Sequence, residues 1–124
     1  MLADVDVLAP CALGGVIDGV NVGRLKAQVV CGAANNQLAH DGLADDLAAR
    51  GILYAPDYIV NAGGLINISV EFDEGGYDAA EGRRRVDAIE RTMSGILDEV
   101  DSGAGTPLIA ADRLARRNLQ RAAG

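Results

Sequence analysis

Tryptophan is absent from these 124 residues, phenylalanine occurs once and tyrosine three times. Any core must therefore be aliphatic, built from Val, Ile, Leu and Ala. Basic residues are scarce as well: eleven Lys plus Arg face eighteen Asp plus Glu, a net charge of −7. That balance repels phosphate backbones and argues against a nucleic-acid partner. No run of about 18 apolar residues occurs, so no membrane-spanning helix is expected. The opening MLADVDVLAP has no basic flank or small-residue cleavage site and does not read as a signal peptide. The two cysteines, Cys11 and Cys31, lack CxxC spacing, and the expectation is buried free thiols in a reducing cytoplasm. No pair of His or Cys has metal-ligand spacing, so no metal site is expected. The phosphate-cradling patterns GxGxxG and GxxxxGK are missing. The lone histidine, His40, has no Ser or Cys at a suggestive spacing and reads as an exposed helical residue. Lys26, the only lysine, reads as solvated.

What is present is 49% hydrophobic and 23% charged, the balance of a soluble globular chain of one ordinary domain's length. Residues 5–9 form a short apolar run stopped by Pro10, which predicts a strand. A second strand is predicted over 28–31, closed by Gly32. Asn35 and Asn36 then precede Leu38, Leu43, Leu47 and Ala48, which predicts a helix with an Asn cap ending at Gly51. Residues 52–54 and 57–61 read as a third strand region broken by Pro56. Leu65, Ile66, Ile68 and Phe72 predict a helix after Gly63 and Gly64, and DEGGYD a turn. Residues 80–100 form a long helix with Val86, Ile89, Met93, Ile96, Leu97 and Val100 on one face. After SGAGTP a last helix spans 106–122, basic through Arg113, Arg116, Arg117 and Arg121, either a solvated face or one that docks on acidic surface. Short strands alternating with helices imply parallel pairing in an α/β fold. Three strands are too few for a complete open sheet.

Ligands of open parallel sheets bind outside the carboxyl ends of the strands. Here those ends carry APCALGG, GAANNQ and NAGGLIN, all small residues and amides. Small residues let backbone approach a ligand, and asparagine offers both a donor and acceptors. Any one of these loops is explained by ordinary turn and cap chemistry; three in succession favour a shared ligand. Asp57, after Pro56, reads as a structural acid.

In this order, APCALGG, GAANNQL and RGILYAPDYIVNAGGLIN resemble the C-terminal part of the dehydrogenases acting on leucine, phenylalanine, valine and glutamate. The likeness spans roughly residues 3–72 and returns in TPLIAADRLA. It implies NAD-dependent oxidative deamination of an L-amino acid to a 2-oxo acid and ammonia, in a cytoplasmic homo-oligomer of two-domain subunits. By that resemblance the chain is a partial Rossmann-type parallel sheet, its distal half, followed by C-terminal helices. Residues 1–64 would be the distal half of the dinucleotide-binding domain and 65–124 a C-terminal helical segment. Pro10, Cys11 and Ala12 would lie along the cofactor, with Ala34 and Asn36 at the nicotinamide ribose and carboxamide. Asn61 would point at the substrate, and Leu65 and Ile68 would lie beside its side chain, which implies an apolar amino acid. The family's catalytic lysine and aspartate belong to an N-terminal domain, and its glycine-rich turn precedes the first strand here. No catalytic residue is therefore expected in this chain, which would be an inactive C-terminal fragment. The alternative is a noncatalytic nucleotide-binding or interaction module derived from that domain.

Overall fold

The computed structural model describes residues 2–124. Three short strands, β1 (Val7–Leu8), β2 (Val29–Val30) and β3 (Leu53–Tyr54), pair in parallel in the order β1-β2-β3. Val7 faces Val29, which faces Leu53, and Leu8, Val30 and Tyr54 form the next row. Five α-helices follow or intervene: α1 (Leu43–Ala49), α2 (Asp57–Val60), α3 (Gly63–Ser69), α4 (Ala79–Asp101) and α5 (Pro107–Ala122). Single turns of 3-10 helix occupy Val22–Arg24 and Val70–Phe72. None of the described helices is long and apolar enough to cross a membrane.

The core is aliphatic, as the shortage of aromatics requires. Ile17, Val22, Leu25, Val30, Leu43, Leu47 and Ile52 pack between the sheet and α1, with Tyr54 the one aromatic among them. A second cluster joins Ile96 of α4 to Ala110 and Ala111 of α5. Small alanines on α5 let the two helices approach closely.

The two long helices match expectation because each opens with a strong cap. Asp78 accepts from the backbone of Ala80 and Glu81, and Thr106 accepts from Ile109 with Pro107 directly after it. Gly51, at φ +70°, ends α1 as expected.

Four expectations need correction. Residues 57–61 are not strand: β3 stops at Tyr54, and Asp57–Val60 is a helical turn. Pro56, at φ −55°, presets the entry and Asp57 sits in the first turn, where an acid suits the exposed N–H groups. Nor do Asn35 and Asn36 cap a helix. Leu38 instead forms a parallel bridge with Ile17, and α1 begins only at Leu43. The bridge satisfies backbone groups in this loop, with Ile17 N–H donating to the Gln37 carbonyl and Ala39 N–H to that of Ile17. His40 is exposed, as expected, but lies in the bend ahead of α1 rather than in a helix. Finally, the thiols are free but not both buried: Cys31 is half-buried, while Cys11, beyond the edge strand, is exposed.

Candidate functional site

The loops after β1 and β2 are fused backbone to backbone. A Cβ on Gly32 would lie 2.1 Å from the Pro10 carbonyl oxygen, and one on Gly14 would lie 2.8 Å from that of Asn35. Only glycine permits either approach. Ala34 N–H donates to the Pro10 carbonyl at 2.9 Å and Gly15 N–H to the Asn36 carbonyl at 2.7 Å. Asn36 adopts φ +51°, a left-handed conformation that asparagine tolerates better than most residues.

The third loop is tied on by two buried polar residues. Asp57 accepts the Gln37 N–H on Oδ2 at 2.8 Å and the Tyr58 N–H on Oδ1 at 2.6 Å. The Gln37 side chain, fully buried, donates through Nε2 to the carbonyls of Gly32 and Ala34. Asp57 is thus a structural acid, as read from its place after Pro56. Gln37 escaped notice in the sequence; the only signal was an amide immediately after two others. Burial, and then the charge of Asp57, push the Tyr54 hydroxyl well above its ordinary pKa. Tyr58 is raised too, first by partial burial and then by the carboxylates of Asp112, Asp57 and Asp41. Both tyrosine hydroxyls keep their protons at neutral pH.

At the carboxyl edge of the sheet these ties leave a cavity of about 560 Å³, lined by Asn35, Asn36, Asp57, Tyr58, Asn61 and Leu65. Asn61 Nδ2 donates to Asn35 Oδ1 at 2.6 Å across it. Of the residues expected at a site, Asn36, Asn61 and Leu65 are brought together here. Pro10 and Ala34 are buried beneath the loops, Cys11 and Ala12 are exposed on the β1 side, and none of the four lines the cavity. Ile68 lies one helical turn beyond Leu65 on α3, half exposed and outside the lining. Asn67, the second amide flanking the paired glycines, is engaged elsewhere, where its Oδ1 accepts from Tyr77 and sits against Gly82 of α4. Lys26 is exposed and bonds Asp4, away from the cavity lining. On α5, Arg116 pairs with Asp112 and Arg117 with Glu99 of α4, so part of the basic face is committed within the chain.

Residues 1–112 match the Glutamate/Leucine/Phenylalanine/Valine dehydrogenase family. The chain belongs to that family. It is 46% identical over 119 residues to the valine dehydrogenase of Streptomyces coelicolor, covering 96% of this chain and 32% of that protein. To the leucine dehydrogenase of Bacillus subtilis it is 43% identical over 119 residues, covering 95% and 32%. The crystal structure of L-tryptophan dehydrogenase from Nostoc punctiforme superposes with a TM-score of 0.89 at 40% identity, covering 97% of this chain and 36% of that one. The chain therefore spans about a third of the length of these curated relatives. Its fold is α/β, a three-stranded part of a Rossmann-type parallel sheet followed by helices.

Within this family fold the donor set suits the amide-bearing end of a dinucleotide. Asn35, Asn36 and Asn61 offer donors and acceptors around this cavity. A pyrophosphate has no cradle in this sequence, which lacks the glycine-rich turn.

Proposed function

We propose that this chain forms one wall of the cofactor and substrate cleft of an NAD-dependent L-amino-acid dehydrogenase, which converts an apolar amino acid to its 2-oxo acid and ammonia. The observation that carries the reading is the convergence of Asn36, Asn61 and Leu65 on one cavity at the carboxyl ends of parallel strands. NAD, when bound, supplies the hydride acceptor for the substrate's α-carbon. Pro10, Cys11 and Ala12 border the cofactor's path, and Ala34 and Asn36 hold the ribose and carboxamide end. Asn61 hydrogen-bonds the substrate, and Leu65 and Ile68 border its side chain. Residues 1–64 act as the distal half of the dinucleotide domain and 65–124 as a helical segment. Proton transfer at the substrate nitrogen needs a positioned base of suitable pKa, and Lys26, exposed on Asp4, is not one. The base comes from a substrate-binding domain outside this sequence, in a cytoplasmic homo-oligomer.

Leu65 and Ile68 carry the substrate preference. They are 75% and 52% exposed and offer no charge or hydroxyl to a second carboxylate. Burying a leucine or valine side chain against them gains about 1.5–3 kcal/mol, whereas an unpaired carboxylate loses its hydration there. In the enzyme carrying this segment behind a substrate-binding domain, kcat/KM is expected to be higher for leucine, valine or phenylalanine than for glutamate. Ile68→Ala is expected to change the order among the apolar substrates. A preference for glutamate, or an order untouched by Ile68→Ala, would refute the assignment.

A further inference from the structure

An asparagine side chain can turn either its oxygen or its nitrogen toward a ligand, and the residue alone does not decide which. In this chain the choice at Asn61 is made by a neighbour. Its Nδ2 donates to Oδ1 of Asn35 at 2.6 Å, joining the C-terminal end of α2 to the loop after β2. Both residues line the same cavity. An exposed amide pair is ordinarily a weak contact, because water competes for both partners. Asn35, however, stands on a loop that is already immobilised. Its carbonyl lies where any side chain on Gly14 would collide, the next carbonyl accepts from Gly15, and the Gln37 N–H is held by buried Asp57. Little freedom is left to lose when the bond forms, which is what makes a single hydrogen bond effective in orienting its partner.

We infer that Asn35 is a positioning residue that sets the orientation of the Asn61 amide. One Asn61 N–H is committed to the loop, which fixes the amide plane and with it the directions of Oδ1 and of the second N–H. Resting on the cleft reading above, this means that the wall meets the ligand at Asn61 with an amide of fixed orientation, its acceptor oxygen and its one remaining N–H held in set directions.

The test is side-chain amide NMR of the full 124-residue chain labelled with nitrogen-15. The Asn61 NH2 pair is identified by its disappearance in Asn61→Ala. One of its protons is expected to be displaced from the position of free amides and to exchange slowly with water. Asn35→Asp keeps an acceptor and is expected to preserve that displaced signal. Asn35→Ala is expected to return the pair to the free-amide position, with backbone signals of the sheet unmoved. If Asn35→Ala fails to fold, the wild-type and Asn35→Asp spectra decide. A free-amide signal in the wild type overturns the inference, as does loss of the displaced signal in Asn35→Asp or its persistence in Asn35→Ala. The readout needs no cofactor and no turnover, so its failure is distinct from failure of the dehydrogenase reading.

Discussion

Gly32 and Gly82 both sit where space is short, yet replacing the first should be costly and replacing the second nearly neutral. A Cβ on Gly32 would lie 2.1 Å from the Pro10 carbonyl oxygen and 2.5 Å from its nitrogen, both backbone atoms between strand ends. Neither can move without opening the loops, so Gly32→Ala is expected to cost at least about 1–3 kcal/mol, read as a lower denaturant midpoint. On Gly82 the nearest atom, at 2.7 Å, is the Oδ1 of Asn67, the far end of a flexible side chain. Swinging it away loses the bond to Tyr77, worth about 0.5–1.5 kcal/mol. Placing alanine inside α4 returns about 1 kcal/mol of helix propensity. Gly82→Ala is therefore expected to leave the unfolding free energy within about 1 kcal/mol of wild type. The same contrast shows what the sequence reveals at this scale. Asn61 and Asn67 look alike beside paired glycines, yet one lines the cavity and the other clasps α4. Only the partner at Tyr77, ten residues along, distinguishes them.

Among the elements, those marked by a local pattern were legible: the apolar face from Val86 to Val100 marks α4, the SGAGTP break precedes α5, and Gly51 closes α1. Those decided by distant partners were not. Tyr58, Ile59 and Val60 have strand composition, but the sheet has no place for them after β3 turns at Pro56. Leu38 has helical spacing to later leucines, but Ile17 claims it for a bridge. The first turn of α4 also has a built-in pH response. Hydrogen bonds from Arg84 and then Arg85 hold the Glu81 carboxylate down at about 2, from an ordinary 4.5. A depressed folded pKa stabilises above the unfolded value and is lost as pH falls, here between about 4.5 and 2. Fraying of this turn, followed by backbone amide NMR, is expected to rise across that window. Glu81→Gln should remove that pH dependence; an unchanged profile in the variant would assign the response to another group.

At the scale of the whole molecule, the sheet is open, with β1 and β3 each paired to β2 alone among the described residues. Among the described residues β1 pairs with β2 and with no strand on its other edge, and Val5 and Val7 are 39% and 53% exposed. Unpaired apolar edges invite association, while Asp4, Asp6 and a net charge of −7 oppose it. Mass by light scattering is expected to rise with protein concentration, and more steeply once salt screens the acids. A compact monomer under both conditions, with slowly exchanging amides along both edges of β1, would contradict the open edge. The central claim concerns the same incompleteness in chemistry: the chain provides a cleft wall with amides and apolar side chains but no base. The most direct measurement mixes the purified chain with NAD and L-leucine, L-valine or L-phenylalanine and follows NADH absorbance. No amino-acid-dependent rise is expected. Turnover by the chain alone would contradict the account, most sharply if it survived Lys26→Ala.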